Sequence, residues 1–328
     1  MPGTALVLGI TGGFGHAVAR ALGRHGWQLR VLHRDPDRAR SAVPEPEALE
    51  WRRGDAMRRA DVMAAARGAD LIVHAVNPPG YRNWRGLAPP MLANSIAAAS
   101  EARARLVFPG NVYNFGPDAW PLVAETAPQH PRTRKGAIRV ELERMLADAA
   151  RAGGRALIVR AGDFFGGPAR GSWFDAVMVK PGREVRSITY PGAHDAGHAW
   201  AYLPDLAEAV ARLIDRDAEL APLECFHFGG HYLDPGIGMA EAIRRVTARR
   251  DLPVRGLAWV ALRLAAPFNE TFRELLEMRY LWNISLRLDN RKLVGLLGEE
   301  PHTPLDEAVR ESLVELGCLP APAQARGA

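Results

Sequence analysis

The sequence is poor in cysteine and has no long apolar run. Its 328 residues include two cysteines, Cys225 and Cys318, which have no metal-ligand spacing and are too few for a disulfide framework, so we expect reduced thiols. No stretch of about 18 uncharged apolar residues is present. The N-terminus also lacks the basic and apolar regions of a secretory signal. We therefore expect a cytoplasmic protein that has no membrane partner.

The composition also lacks the features of disordered and nucleic-acid-binding chains. Hydrophobic residues make up 48% of the sequence and charged residues 24%, which is ordinary for a globular protein. The formal charge is +5, but the arginines are spread along the chain rather than clustered, so we expect no nucleic-acid partner. A mild positive excess suits an anionic cofactor equally well. The length accommodates one large α/β domain with a smaller appended lobe.

A glycine pattern near the N-terminus is the most informative motif. An apolar run at residues 6–8 precedes Gly9, Gly12 and Gly15, and an amphipathic segment covers residues 14–25. Gly9 permits a tight turn, Gly12 lets backbone N–H groups approach a pyrophosphate, and Gly15 lets helix and strand pack together. The N-terminus of the helix then favours phosphate groups. The pattern predicts a dinucleotide site with contacts from Gly9, Thr11, Gly12, Gly13, Phe14 and Gly15.

The end of the second predicted strand indicates which nicotinamide cofactor binds. Residues 28–33 are predicted to form this strand, and the dinucleotide fold normally places an acidic residue at its end to hold the ribose hydroxyls. This chain has His33 and Arg34 there, and Arg38 follows one turn into the next helix. Because guanidinium groups bind a 2′-phosphate that a carboxylate would repel, we expect NADP(H) to be favoured over NAD(H). Alternatively, Arg34 and Arg38 are solvated surface charges, as most arginines are.

Strands and helices alternate in the first half of the chain. Apolar runs predict strands at residues 48–53, 71–76, 105–108 and 155–159, with helices between them at 61–67, 86–103 and 136–152. This alternation is typical of parallel βαβ units. We therefore predict an α/β fold with a Rossmann-type, doubly wound parallel sheet, whose ligand site lies at the carboxyl ends of the strands.

The domain boundaries follow from the same alternation. We assign residues 1–165 to a dinucleotide-binding Rossmann domain, to which segments from about 190–230 return. Residues 166–320 form mainly a smaller C-terminal substrate-binding lobe, and the Pro- and Ala-rich residues 321–328 form a frayed tail. No linker rich in Gly, Ser or Pro separates the lobes, which predicts one closed cleft. We expect Asp205 to cap the helix that follows it.

The substrate lobe contains aromatic residues and two closely spaced histidines. His194 and His198 lie four residues apart, but the neighbouring Pro and Gly residues indicate a loop and no third ligand follows at the expected spacing, so we expect no metal site. Aromatic side chains at helical spacing usually pack in a core, and the alternative is that they line an apolar substrate pocket. This group comprises Trp173, Phe174, Trp200, Tyr202 and the aromatic residues within 257–282.

Six short motifs carry a family resemblance. They are GITGGFG at residues 9–15, GD at 54–55, HAVN at 74–77, RAGDFFG at 160–166, YLPDLA at 202–207 and LGEEPHTPL at 297–305. With these motifs the chain resembles the extended and atypical short-chain dehydrogenase/reductases, the NAD(P)-dependent epimerase/dehydratase-like superfamily, over nearly its whole length. The resemblance makes Arg160 a structural hydrogen-bond donor and favours a homodimer formed through helices that flank the fifth strand.

The resemblance also implies further cofactor contacts. Asp55 would hold the adenine amino group, and Ala75 with Val76 would line the adenine pocket. Alternatively, Asp55 is a turn residue after Gly54. The remaining contacts expected on these motifs and strand ends are Ala56, Asn77, Pro109 and Gly110.

Two departures from the family pattern affect the expected catalytic residues. The family places a serine or threonine several residues before a closing glycine, and matching on Gly116 puts Asn111 in that place. Its amide can still donate to a substrate oxygen. The family's Tyr-x-x-x-Lys pair corresponds to Lys135 and Arg139 here, so neither the tyrosine nor the lysine stands at its usual position.

Two functions therefore remain open. The first is an NADP(H)-dependent oxidoreductase or epimerase that acts on a small, apolar carbonyl or alcohol, with Lys135 as a non-standard proton donor. A like charge on Arg139, partial burial and an oxidised nicotinamide would all disfavour the ammonium. Arg139 would hold the nicotinamide ribose and Asn111 the substrate oxygen, while Tyr113 and Tyr81 are alternative donors or packing residues. The second function is a catalytically silent NADP(H)-binding redox sensor, which needs only the glycine loop and basic contacts.

Overall fold

The computed structural model describes residues 3–43, 49–78, 82–167 and 171–321. Within these ranges the chain forms fourteen strands, which are β1 Thr4–Leu8, β2 Gln28–His33, β3 Glu50–Arg53, β4 Leu71–His74, β5 Arg105–Gly110, β6 Leu122–Val123, β7 Arg155–Arg160, β8 Asp163–Phe165, β9 Ile188–Tyr190, β10 His198–Tyr202, β11 Leu223–His227, β12 His231–Leu233, β13 Val254–Gly256 and β14 Arg287–Leu288. The same ranges contain eleven α-helices, which are α1 Gly13–Arg24, α2 Pro36–Ala42, α3 Arg59–Ala66, α4 Trp84–Ala102, α5 Arg134–Arg151, α6 Leu203–Asp215, α7 Gly238–Val246, α8 Trp259–Ala265, α9 Glu270–Met278, α10 Arg291–Leu297 and α11 Leu305–Glu315.

Seven of the described strands form one parallel sheet. Their order is β11-β7-β5-β4-β1-β2-β3, and every neighbouring pair is parallel. The order reverses at β1, which pairs with β2 on one side and with β4 on the other. A sheet of this order leaves a crevice at the carboxyl ends of β1 and β4, where ligands of such folds bind.

Alternate side chains of the sheet face two separate layers of helices. On β1, Ala5 and Val7 lie in a core with α1 and α6, whereas Leu6 and Leu8 lie in a core with α3, α4 and α5. Because helices cover both faces, a parallel strand is apolar at successive positions rather than at every second one. The three layers confirm the predicted α/β, doubly wound fold.

A smaller set of elements lies at the carboxyl ends of the sheet. It includes a three-stranded sheet of order β12-β10-β8 and the parallel pair of β9 and β13. Helices α7 and α11 pack together, as do α8 and α9. Later in the chain, β14 pairs with β6 in a separate two-stranded sheet, and α10 packs against β11 of the large sheet. Among the described residues, no helix is long and apolar enough to cross a membrane.

The start of α6 corrects the prediction that Asp205 is an N-cap. The helix begins at Leu203, and Tyr202 occupies the cap position without a side-chain hydrogen bond. Asp205 lies inside the first turn, and its carboxylate accepts hydrogen bonds from the Thr303 backbone N and from the Thr303 hydroxyl, both at 2.7 Å. Pro204 explains the earlier start, because a proline suits the first turn of a helix. Asp205 therefore ties α6 to the segment before α11.

A buried ion pair joins the end of β7 to α5. The Arg160 guanidinium donates to both carboxylate oxygens of Glu143, with Nε 3.0 Å from Oε1, and a third nitrogen donates to Nε2 of His227 at 3.0 Å. His227 in turn places Nδ1 3.1 Å from the Val123 carbonyl, so its proton lies on Nδ1. This network confirms the expected structural role of Arg160. Removing one partner would leave the other charge buried and unpaired.

Four buried histidines are held in the neutral form. Burial, together with the nearby Arg139 charge, lowers the pKa of His74 from 6.5 to about 3. Burial lowers the pKa of His227 to about 3 and the pKa values of His16 and His231 to about 4. The unfolded chain takes up a proton on each of these side chains near pH 6.5, whereas the folded protein does not. Their contribution to stability is therefore present above pH 6.5 and is lost as the pH falls towards 4 and 3.

We predict that acidification from pH 7 to pH 5 lowers the free energy of unfolding by about 2 kcal/mol for each of these histidines. In the variant His74→Gln, the free energy of unfolding should fall by about 2 kcal/mol less between pH 7 and pH 5 than in wild type. The reason is that one proton fewer is taken up on unfolding. Urea denaturation at both pH values measures this. The control His194→Gln replaces an exposed histidine and should keep the wild-type pH dependence. Equal pH dependence in His74→Gln and wild type would contradict the assignment.

Candidate functional site

The turn after β1 approaches the end of β4 too closely to accommodate side chains. Gly9 has a φ of +98°, and a Cβ on it would lie 2.6 Å from the carbonyl carbon and oxygen of Ala75. A Cβ on Gly15 would lie 2.3 Å from the Gly9 carbonyl oxygen. The Gly12 backbone N donates to the same oxygen at 3.0 Å. The glycine spacing read from the sequence therefore corresponds to real steric limits at positions 9 and 15.

The glycine turn directs the N-terminus of α1 into the crevice. Gly12 is the cap residue and makes no side-chain capping bond, and the first turn contains no acidic residue. Backbone N–H groups at such a helix start attract phosphate. Thr11 is exposed, Gly13 is half-buried, and the buried ring of Phe14 stacks on Phe164 with centroids 6.2 Å apart. The six residues predicted here thus lie in the turn after β1 and in the first turn of α1, where Phe14 contributes packing.

The end of β2 presents two exposed arginines beside this loop. Arg34 and Arg38 are exposed, and among the described residues neither guanidinium has an ion-pair partner. His33 is half-buried, with Nδ1 3.0 Å from the Asp35 backbone N. Asp35 is an acid that our sequence argument did not consider. Its carboxylate caps α2 by accepting the Arg38 backbone N–H at 3.2 Å.

The predicted adenine contacts lie at the ends of β3 and β4. Asp55 Oδ1 accepts a hydrogen bond from the Met57 backbone N at 2.9 Å, which is the geometry of a turn residue. The Ala56 carbonyl accepts from Asn94 Nδ2 at 2.9 Å. At the end of β4, Ala75 and Val76 are half-buried and Asn77 is exposed.

The outlet of β5 lies next to the crevice. Asn111 Oδ1 accepts the Tyr113 backbone N–H at 3.0 Å, so Nδ2 is the group of this amide that can donate to a ligand. A Cβ on Gly110 would lie 2.3 Å from Cγ of Arg160. The Pro109 carbonyl accepts a hydrogen bond from the Arg139 guanidinium, which also lies 4.8 Å from the centroid of the Phe108 ring. Arg139 therefore binds the strand end itself.

The structure corrects the environment that we expected for Lys135. Its side chain is 1% exposed, and its ammonium pairs with the carboxylates of Glu274 and Glu277, the latter at 3.0 Å. It also donates to the Glu274 carbonyl at 2.9 Å. We expected a like charge to destabilise the ammonium, whereas two opposite charges stabilise it. Lys135 thus links α5 to α9.

Of the two tyrosines that we considered as proton donors, the structure describes only Tyr113. Tyr113 is 8% exposed and lies in the hydrophobic core on the α5 side of the sheet, as expected for a packing residue. Tyr81 lies outside the described residues. Five aromatic residues of the substrate lobe are core residues with buried rings, namely Trp173, Phe174, Trp200, Tyr202 and Trp282. The core expectation is wrong for Phe268, which is 93% exposed, and Trp259, Phe272 and Tyr280 are half-buried.

A narrow cleft opens between the strand ends and the smaller lobe. Its volume is about 20 Å³, and about 290 Å³ when the open solvent at its mouth is included. One wall is formed by Val112, which follows Asn111, and by residues 162–163 and 197–199. The opposite wall is apolar and consists of Leu281, Ile284 and Leu286. A larger open groove is formed by one consecutive segment, residues 180–187, without any residue of the glycine loop.

Two ionisable side chains that the sequence argument did not connect face this cleft. His198 Nε2 lies 2.8 Å from Asp163 Oδ2, and the His198 ring stacks on Trp282 with centroids 4.0 Å apart. We had considered His198 only as a metal ligand. Among the described residues, no group of three His, Cys, Asp or Glu side chains could hold a metal ion. The RAGDFFG motif at 160–166, which contains Asp163, and the YLPDLA motif at 202–207, which begins at the last residue of β10, are the sequence signals near this pair.

Comparisons with solved structures agree with this architecture. UDP-N-acetylglucosamine 4-epimerase from Bacillus cereus is 15% identical, with a TM-score of 0.71 over 96% of this chain and 99% of that chain. UDP-glucose-4-epimerase from Stenotrophomonas maltophila, which contains NAD and formylated UDP-arabinopyranose, is 16% identical, with a TM-score of 0.74 over 96% and 98%. The enzyme WbmH from Bordetella bronchiseptica with NAD+ is 18% identical, with a TM-score of 0.68 over 96% and 98%. At these identities the comparison concerns the fold alone.

The sequence itself identifies the family. No curated protein matches the chain. Residues 5–226, however, match the sequence model of the NAD dependent epimerase/dehydratase family. This match covers more than half of the chain and confirms the resemblance that the six motifs indicated. The chain therefore belongs to the NAD-dependent epimerase/dehydratase family and is an epimerase-like or oxidoreductase-like enzyme that uses a nicotinamide cofactor.

Proposed function

We propose that this protein is an NADP(H)-dependent oxidoreductase or epimerase that acts on a small, apolar carbonyl or alcohol compound. The observation that carries the proposal is the largely apolar cleft lined by Val112 and Gly162, which follow the ends of β5 and β7. A substrate that exchanges hydride with a nicotinamide must lie beside the cofactor, and ligands of this fold bind at the carboxyl ends of the strands. When bound, the nicotinamide supplies or accepts the hydride.

The cleft suits an apolar substrate better than a nucleotide sugar. Two of the similar proteins are a UDP-N-acetylglucosamine 4-epimerase and a UDP-glucose-4-epimerase with bound formylated UDP-arabinopyranose, and a diphosphate is usually bound by arginine or lysine. Among the described residues that line this cleft, none is arginine or lysine. Most of the lining is glycine, alanine or branched aliphatic side chains, which bind hydrocarbon groups. The Asn111 amide beside the cleft would orient the substrate oxygen through its Nδ2.

The preference for NADP(H) rests on the residues of this chain. The similar structures contain NAD, so they do not support the preference. Arg34 and Arg38 extend from the end of β2 and the start of α2, close to the place where the fold holds the adenosine ribose. The Asp35 carboxylate caps α2, so it is already engaged in the protein. Two guanidinium groups would then neutralise a 2′-phosphate.

We predict that Arg34→Ser weakens NADPH binding at least tenfold and changes NADH binding less than twofold. A hydrogen bond between charged groups contributes about 1.5–3 kcal/mol, which corresponds to about a tenfold to hundredfold change in Kd. Isothermal titration calorimetry with both cofactors measures the effect. The control variant Arg151→Ser should bind both cofactors like wild type. It replaces an exposed arginine at the C-terminal end of α5. Wild-type protein that binds NADH as tightly as NADPH would refute the preference.

The second candidate function is a catalytically silent NADP(H)-binding redox sensor. The observation that favours it is Lys135, whose ammonium is engaged by two carboxylates and a carbonyl. Together with the missing serine and tyrosine, this leaves the usual positions of the family without a proton donor. A sensor would bind the cofactor through the glycine loop and would need no such group.

Turnover distinguishes the two functions. We expect wild-type protein to oxidise NADPH in the presence of at least one of benzaldehyde, cyclohexanone and cyclohexenone, because most residues that line the cleft are apolar. The decrease in absorbance of NADPH measures the reaction, and NADPH without carbonyl is the control. Tight binding of NADPH with no turnover of any carbonyl, or of the corresponding alcohols with NADP+, would establish the sensor instead.

The environment of Lys135 makes a separate prediction about stability. Lys135→Met should lower the free energy of unfolding by about 3–5 kcal/mol, because it removes the buried cation that pairs with the carboxylates of Glu274 and Glu277. The matched control is Arg134→Met, since Arg134 faces the same two carboxylates but is 77% exposed, and its loss should cost about 1 kcal/mol or less. Urea denaturation measures both. Equal losses would show that burial of Lys135 has no special effect.

A further inference from the structure

The paired side chains of Asp163 and His198 lie at the start of two neighbouring strands. Asp163 begins β8 and His198 begins β10, and these strands pair in parallel, with Asp163 opposite Trp200. The carboxylate Oδ2 is 2.8 Å from Nε2 of His198. The planes of the His198 and Trp282 rings are within 13° of each other. The imidazole is therefore fixed from two directions, by an acid at one edge and an indole on one face.

The side chains of Asp163 and His198 form part of the lining of the cleft. The other described lining residues have no ionisable side chain. Val112 and Gly162 belong to the same lining and follow the ends of β5 and β7, where the proposed substrate would meet the cofactor. Histidine and aspartate are thus the proton-exchanging side chains nearest to the proposed substrate on this wall.

The hydrogen bond to Asp163 determines which ring nitrogen can act. With Nε2–H donated to the carboxylate, Nδ1 is the remaining nitrogen, and among the described residues no hydrogen bond to Nδ1 is found. An aspartate in this position selects one tautomer and stabilises the imidazolium when it forms. Histidine is also the side chain that changes its protonation most readily near neutral pH.

From this geometry, and resting on the proposed function, we infer that His198, oriented by Asp163, exchanges a proton with the oxygen of the substrate in the cleft. During reduction of a carbonyl, a bound reduced nicotinamide would supply the hydride for the new C–H bond, and the π electrons of the carbonyl would move to its oxygen. The imidazolium gives its Nδ1 proton to that oxygen, so an O–H bond forms. Neutral His198 keeps the Nε2 proton on its bond to Asp163 and then takes a proton from water. Oxidation of an alcohol follows the same steps in reverse.

His198 takes the place of the family's tyrosine, because the other candidate proton donors are engaged elsewhere. Lys135 is engaged by the carboxylates of α9, and Tyr113 lies in the core. The buried histidines at the strand ends are also engaged, since His74 Nδ1 lies 2.8 Å from the Ser95 hydroxyl and His227 bonds Arg160. His198 differs because one side of its ring borders a cleft.

The kinetic test compares three variants with the best carbonyl of the panel. We expect His198→Gln to lower kcat by about 10²- to 10⁴-fold, the usual effect of removing a general acid, while the Kd of NADPH changes less than twofold. Asp163→Asn should lower kcat by a smaller factor, because the amide still accepts the Nε2 proton but does not stabilise the imidazolium. The control His194→Gln, in an exposed histidine of the preceding loop, should keep kcat within twofold. Folded His198→Gln protein with wild-type kcat overturns the inference.

An NMR experiment tests the same inference without turnover. Correlation spectra of the histidine ring nitrogens in the protein without cofactor should show His198 as the Nε2–H tautomer, assigned by its loss in His198→Gln. Addition of benzyl alcohol should shift the Nδ1 resonance of His198 and not that of His194. An Nδ1–H tautomer, or no shift at saturating benzyl alcohol, means that the pair is only structural. If no carbonyl is turned over, the proposed function fails, and this titration alone then decides whether His198 binds the substrate oxygen.

Discussion

The close contact between the turn after β1 and the end of β4 is the constraint on which the cofactor site depends. A Cβ on Gly9 or Gly15 has no room, because backbone atoms of Ala75 and of Gly9 itself already occupy that space. The contact holds the N-terminus of α1 at the point where the strand order reverses. A larger residue at either position would push α1 away from the sheet, together with the N–H groups that attract phosphate.

The charged side chains around the strand ends divide into two groups with different physical roles. Arg160 and Lys135 are buried, and each is paired with carboxylates, as a charge in a low-dielectric interior must be. Arg34 is exposed at the end of β2, and the His198 ring borders the cleft. The first group positions backbone segments, while the second can gain interactions from a ligand. The buried charges therefore support the site, whereas the ionisable groups at its surface are available to a ligand.

Local patterns were sufficient to predict the sheet but not the pairs of side chains at its edge. The second strand was predicted at residues 28–33, as β2 is found, because its apolar pattern and flanking turns are local. Asp205 was misread because its partner Thr303 lies 98 residues away. Likewise, Lys135 and Glu274 are 139 residues apart, and Asp163 and His198 are 35 apart. Such pairs depend on how distant elements pack, which no spacing in the sequence records.

The position that would hold the family's tyrosine has acquired a structural role that bears on the cleft. Lys135 holds α9 through Glu274 and Glu277, and the chain leaves α9 directly into a turn that contains Leu281 and Trp282. Leu281 forms part of the apolar wall, and Trp282 is the ring on which His198 stacks. An ion pair on α5 therefore supports both the wall of the cleft and the indole that fixes the imidazole. One packing arrangement thus joins α5 to the apolar wall of the cleft and to the indole that holds the His198 ring.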